Sequence, residues 1–228
     1  MRNSESKLLK LIPLQLVITS VVFILSLFTF SLIVHEAVYE QEDVFDNNVI
    51  HFFLTHSSPA LVEVMERITF FGSTTFLFPA YLTLIAWHLF KRKFQYATDI
   101  AITGISSTAM MFGLKQFFHR HRPQLPIIKG ITGYSFPSGH SLSSFIFCTI
   151  LIYLVWNGPL SPRYKYTLMF LLFLCPLAIG LSRVILNVHY ATDVIGGFCL
   201  AIVWVIISFL ILKKIRENTA PDTNSSVS

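Results

Sequence analysis

One stretch of the chain gathers residue types that do chemistry: Ser182, Arg183, Asn187, His189 and Asp193 lie between two long apolar runs. His189 and Asp193 are four residues apart, the spacing of neighbours on one helical turn. A carboxylate so placed accepts the Nδ1 proton of the imidazole and leaves Nε2 as base or nucleophile. Arg183 precedes His189 by six residues, about 240° around a helix. The two serve one ligand only if the helix breaks between them. Asn187 is the expected N-cap after that break, which would place His189 in the first turn of the next helix. The positive end of that helix favours neutral imidazole and attracts an anion. Standing alone, the stretch equally fits a hydrogen-bonded histidine at a membrane interface.

Two further stretches change that. Lys115 and Arg122 are seven residues apart, two turns along one helical face, with His119 between them and Pro123 ending the helix. Two cations facing one way at a membrane boundary suit a dianionic head group, although snorkelling anchors have the same composition. Pro137, Ser138, Gly139 and His140 open an apolar run. Proline and serine suit a helix start, and glycine lets backbone approach a ligand. The unpaired N–H groups of that first turn form an anion site. Together the stretches supply Lys115, Arg122 and Arg183 as a triple cation clamp, Ser138 and backbone N–H groups as neutral donors, and two histidines, one oriented by Asp193. That inventory fits phosphoryl transfer through a covalent phosphohistidine, with electrostatic stabilisation of the equatorial oxygens. The one carboxylate of the set is committed to His189, so neither a metal nor another cofactor is expected.

The elements that must position these residues follow from hydropathy. The chain has 228 residues, 54% of them hydrophobic and 13% charged, with mean hydropathy +0.64. This is an all-α polytopic membrane protein and not a soluble globule. Six spans are expected, at about 11–34, 68–90, 96–114, 138–156, 166–181 and 188–212. Pro79 is a kink in the second span, and Gly196, Gly197 and Ala201 form a small-residue packing face in the sixth. Residues 35–67 hold an acidic cluster and an amphipathic interfacial helix, with His51 and His56 as surface residues. Residues 1–216 make one membrane domain, and 217–228 a disordered polar tail. The net charge of +5 comes from juxtamembrane loops and does not indicate nucleic-acid binding. Cys148, Cys175 and Cys199 fall inside apolar runs and act as small hydrophobes.

With six spans both termini lie on one side. Eleven Lys and Arg fall there: Arg2, Lys7, Lys10, Lys91, Arg92, Lys93, Arg163, Lys165, Lys213, Lys214 and Arg216. Six fall on the other: Arg67, Lys115, Arg120, Arg122, Lys129 and Arg183. This asymmetry puts both termini in the cytoplasm and the three chemical stretches at the outer ends of spans three to six.

Lys115-x6-Arg122-Pro123, Pro137-Ser138-Gly139-His140 and Ser182-Arg183-x5-His189-x3-Asp193 resemble, in order and with every position filled, the three signature motifs of the type 2 phosphatidic acid phosphatase family. The resemblance implies His189 as nucleophile, Asp193 as its partner and His140 as general acid. It implies phosphate binding by Lys115, Arg122, Ser138, Gly139 and Arg183. The activity implied is metal-independent hydrolysis of a membrane lipid phosphomonoester, of the phosphatidylglycerophosphate or phosphatidic acid class, at the outer face of the plasma membrane. The compact loops, with no Asn-x-Ser/Thr sequon on the outer side, point to a bacterial (periplasmic) setting. Undecaprenyl diphosphate and the phosphates of lipid A are the alternative substrates. A lipid-phosphate binder or flippase is the non-enzymatic alternative, disfavoured because binding alone does not need an oriented imidazole. Vanadate-dependent oxidation, known from haloperoxidases with a similar anion pocket, fits poorly with six lipid-facing spans.

Overall fold

The computed structural model describes residues 13–41 and 43–219, and these form helices and connections without strands. In chain order the helices are α1 (Leu14–Ile33), α2 (Val44–His56), α3 (Pro59–Phe70), α4 (Thr74–Phe90), α5 (Phe94–Phe118), α6 (Gly139–Asn157), α7 (Pro162–Ile185) and α8 (Ala191–Thr219). A wider, π-helical turn at Val34–Tyr39 prolongs α1. Sequence chemistry sets several boundaries. Ser58 and Ser73 accept from backbone N–H groups at the starts of α3 and α4, and Pro59 and Pro162 occupy first-turn positions where no N–H is needed.

Five of these units, Leu14–Tyr39, Pro59–Phe90, Gly139–Asn157, Pro162–Ile185 and Ala191–Asn218, are long and apolar enough to cross a bilayer. Helix α5 has 25 residues, ample length at about 1.5 Å per residue, but its middle carries hydroxyls. Those hydroxyls are satisfied internally: Thr98 donates to Phe94 O, Ser107 and Thr108 to Gly104 O, and Ser106 Oγ receives the Trp204 indole. These hydroxyls lower its hydropathy while keeping hydrogen-bond partners inside the bundle.

The architecture is that of a multi-pass membrane protein. Leu142, Ile146 and Ala201 are fully buried where α6 meets α8. Outward faces are apolar instead of charged, with Ile24 62%, Phe28 60% and Phe170 61% exposed, which suits lipid and not water. Helix α6 packs on α7 and α8, α1 on α8, α5 on α4, and α3 on α7.

Several boundaries differ from expectation. The first span continues through Tyr39, and the start expected at residue 11 lies outside the described residues. The second unit starts earlier than expected, at Pro59, and is broken into α3 and α4 at Gly72 and Ser73. Helix α8 carries on through Thr219, so the expected tail starts no earlier than residue 220, outside the described residues.

Candidate functional site

The three stretches converge at one end of the bundle. Lys115 lies in the last turn of α5, Ser138 caps the start of α6, and Arg183 lies in the last turn of α7. His189 sits in the turn that follows, and Asp193 in the first turn of α8.

That turn forms as the angular mismatch between Arg183 and His189 requires, but not by the expected cap. Asn187 adopts φ 52°, a left-handed conformation that asparagine tolerates. The N–H groups of Val188 and His189 then reach back to Arg183 O at 3.1 and 3.3 Å. Arg183 and His189 are thereby folded together. Asn187 does not cap α8; its Nδ2 donates to Gln124 O and Leu125 O at 2.8 and 3.1 Å, pinning the α5–α6 connector. His189 stands two residues ahead of α8 and not in its first turn.

The imidazole of His189 is 2% exposed. Its Nδ1 lies 3.3 Å from Asp193 Oδ2 and 3.3 Å from Ser135 Oγ, and Ser135 Oγ donates to the same carboxylate oxygen. Nε2 lies 3.1 Å from Arg122 Nη1. A guanidinium only donates, so the neutral ring carries its proton on Nδ1 and presents a lone pair on Nε2. Asp193 also accepts from Tyr190 N at 2.9 Å, closing the helix start around itself. Burial pushes the His189 imidazole down to about 3; Asp193 pulls the other way, and Arg122 and Lys115 reinforce the depression. The ring is therefore neutral near pH 7.

Lys115 and Arg122 do meet, although not along one helical face. Helix α5 ends at Phe118, and His119 turns left-handed at φ 52°, four residues before Pro123. Arg122 thus lies in the connector, and exposed His119 packs edge-on against Tyr134 at 4.5 Å between ring centres. Lys115 Nζ and Arg122 Nη2 instead converge on Tyr134 O, at 2.7 and 3.3 Å. Arg122 further donates to Val188 O at 2.7 Å and Gly133 O at 2.9 Å. Arg183 is 3% exposed and donates to Thr69 Oγ1 at 2.7 Å, while its Nε is buried with no partner among the described residues.

At the start of α6, Ser138 Oγ accepts from Ser141 N and Ser141 Oγ at 3.5 and 3.0 Å, so its own proton is available to a ligand. Ser138 N donates to Asp193 O at 3.0 Å. Two glycines allow the close approaches here. A Cβ at Gly139 would come 2.7 Å from Met111 Sδ, and one at Gly197 2.9 Å from Ser138 O. The small-residue face of α8 therefore seats the turn that carries Ser138. The His140 side chain, half-buried, faces Gly72 of the α3–α4 turn and feels the charges of Arg183, Arg122 and Lys115.

Four participants escape a reading by spacing. Arg120, Asp46, Ser135 and Thr69 are all buried and all touch a motif residue or its partner. Arg120 joins Asp193 to Asp46 with bonds of 2.8 Å each. Helix α2 thus contributes to this network: Asp46 is 1% exposed. His51 and His56 remain on the surface.

Residues 92–217 match the PAP2 superfamily. The chain is 31% identical over 160 residues to phosphatidylglycerophosphatase B of Bacillus subtilis, covering 70% of this chain and 77% of that protein. Its structure is similar to the crystal structure of a transmembrane PAP2-type phosphatidylglycerolphosphate phosphatase from Bacillus subtilis, with TM-score 0.72, 27% identity, and 90% and 98% of the two chains covered. The crystal structure of Aquifex aeolicus LpxE shares the fold at TM-score 0.55 and 24% identity, over 72% of this chain and 93% of that one.

Proposed function

Because the chain belongs to the PAP2 superfamily, we propose that it is a membrane phosphatase that hydrolyses a lipid phosphomonoester of the phosphatidylglycerophosphate class. The observation that carries this reading is the buried His189, its Nδ1 against Asp193 and its Nε2 turned toward Arg122. Nε2 attacks phosphorus in line, a P–N bond forms and the P–O bond to the leaving alkoxide breaks. His140 gives the alkoxide its proton. Water then returns a proton to His140 as it attacks the phosphohistidine, and the P–N bond breaks, releasing inorganic phosphate and restoring both histidines. Asp193 stabilises the positive charge that the ring carries in the intermediate. Lys115, Arg122 and Arg183 with Ser138 and the N–H groups at Gly139 stabilise the equatorial oxygens.

The reading of one membrane domain over 1–216 with six spans counts α5 as the third crossing. Both termini then lie in the cytoplasm and the site opens on the outer face. Similarity to a phosphatidylglycerophosphatase supports the substrate class. The test is phosphate release by purified protein in detergent with EDTA, from phosphatidylglycerophosphate, phosphatidic acid and undecaprenyl diphosphate. Fastest turnover is expected on a monoester. Preference for the diphosphate overturns the substrate class, and binding without phosphate release overturns the enzyme reading.

A further inference from the structure

We propose that Arg120 is a positioning residue for the His189–Asp193 pair, and that Asp46 on the interfacial helix α2 holds it in that role. The inference rests on the reading of His189 and Asp193 as the reacting pair.

Arg120 lies in the α5–α6 connector, 8% exposed. One of its terminal nitrogens donates to Asp193 Oδ1 at 2.8 Å and Thr192 Oγ1 at 2.7 Å. The other donates to Asp46 Oδ2 at 2.8 Å and Asp43 Oδ1 at 3.1 Å. The guanidinium stands 4.2 Å over the Tyr190 ring, and the Arg120 carbonyl accepts from Ser135 N at 2.8 Å. Asp46 Oδ1 accepts from Thr192 N at 3.0 Å, and the Thr192 hydroxyl donates to its Oδ2.

A carboxylate rotates about its last bond unless both oxygens are held. Arg120 holds Oδ1 of Asp193, which leaves Oδ2 turned toward the imidazole. Through its carbonyl it also fixes Ser135, whose hydroxyl touches both members of the pair. Asp46 anchors the guanidinium from the far side. One buried side chain therefore sets the direction of the carboxylate that sets the direction of the nucleophile. Arg120 is assigned no contact with substrate, so its removal lowers kcat and leaves KM nearly unchanged.

Charge gives a sharper signature. The pair is surrounded by Lys115 on α5, Arg120 and Arg122 on the connector, His140 on α6, Arg183 on α7, Tyr190 in the turn, Asp43 just ahead of α2 and Asp46 on it. Without the Arg120 guanidinium, the Asp193 carboxylate is less compensated, and the pair takes up a proton at higher pH. With Asp46 neutralised, more of the guanidinium's charge acts on Asp193, and the pair takes up its proton at lower pH. A purely structural role does not give two substitutions in one network opposite signs.

The experiment uses full-length protein in detergent with short-chain phosphatidic acid, and follows variant-to-wild-type ratios of kcat and KM between pH 5 and 7.5. Arg120→Met should lower kcat by about 10²-fold with KM within about threefold, its ratio falling a further tenfold or so toward pH 5. Arg120→Lys, which keeps the charge, should recover to within about tenfold of wild type. Asp46→Asn should lose about tenfold, with a ratio flat or rising toward pH 5. Falling ratios in both Arg120→Met and Asp46→Asn, or an Arg120→Lys no better than Arg120→Met, overturn the inference. If Arg120→Met does not fold, the Asp46→Asn slope and the Arg120→Lys recovery decide. His189→Ala runs alongside: turnover there removes the underlying reading of the site, whereas a dead His189→Ala with the wrong slopes removes this inference alone.

Discussion

Basic residues occupy both ends of the helix bundle, and they are held in different ways. At the end formed by the α4–α5 and α6–α7 connections, Lys91, Arg92, Lys93 and Arg163 are exposed. Lys91 Nζ lies 4.9 Å over the Trp87 ring and Lys93 Nζ 5.8 Å over Tyr96, as interfacial anchors do. At the opposite end Arg183 and Arg120 are buried and Lys115 and Arg122 half-buried, each donating to fixed carbonyl, carboxylate or hydroxyl oxygens. Burying cations costs several kcal/mol apiece by general estimates unless they are well partnered. Anchoring needs no such expense, so burial separates the cations partnered inside one end of the bundle from those exposed as anchors at the other.

Substitutions at the two ends should therefore separate widely. The largest effect is expected from His189→Ala, a loss of about 10⁴-fold or more in turnover. Acid-labile phosphate, trappable on the wild type, should vanish from this variant; its persistence would transfer the nucleophile elsewhere. Next comes His140→Ala, about 10²–10⁴-fold on a lipid monoester. It should lose considerably less on an aryl phosphate, whose leaving group needs no proton. An equal loss on both would make His140 a binding group. Arg183→Met and Lys115→Met should each cost about 10²–10³-fold in kcat/KM.

A smaller effect concerns stability. Folded His189 is held at about 3 by burial, whereas an unfolded histidine titrates near 6.5 as a rough norm. Below that value the unfolded chain binds a proton that the folded chain does not, so stability falls as pH drops from about 6.5 toward 3. Thermal unfolding in detergent should show a larger loss of Tm between pH 7.5 and 4.5 in wild type than in His189→Gln. The smallest effect closes the contrast. Lys91→Gln or Lys93→Gln should leave kcat/KM within about twofold, and a loss there matching Lys115→Met would erase the distinction between the two ends.

Much of the site was legible because its residues recur at short spacings beside apolar runs. The break between Arg183 and His189 was readable too, since six residues on an unbroken helix point them apart. The shared face of Lys115, His119 and Arg122 was not. Nothing before Pro123 breaks a helix locally, yet the chain turns at His119 because Ser135 N bonds to Arg120 O and Ile127 N to Leu186 O. Tertiary bonds overrode local preference there. Asp46 and Arg120 are 74 residues apart, and Thr69 and Arg183 are 114 apart. No periodicity signals such a pair, and Asp46 looks like any other acid in an interfacial segment.

The contact between Thr69 and Arg183 and that between Asp46 and Arg120 have a consequence for dissecting the gene. The stretch that matches the family begins at residue 92, and it contains every signature residue. Excised on its own, it would leave behind Asp43, Asp46 and Thr69, so Arg183 would lose its hydroxyl acceptor and Arg120 the two carboxylates on its far side. The exposed Lys91–Lys93 turn is nonetheless a natural place to divide the polypeptide. A fragment ending there and a fragment beginning there, produced together, would each bring half of these ion pairs and hydrogen bonds. Recovery of activity on co-expression, absent from either piece alone, would make the first half a required subunit of the site and not a membrane anchor.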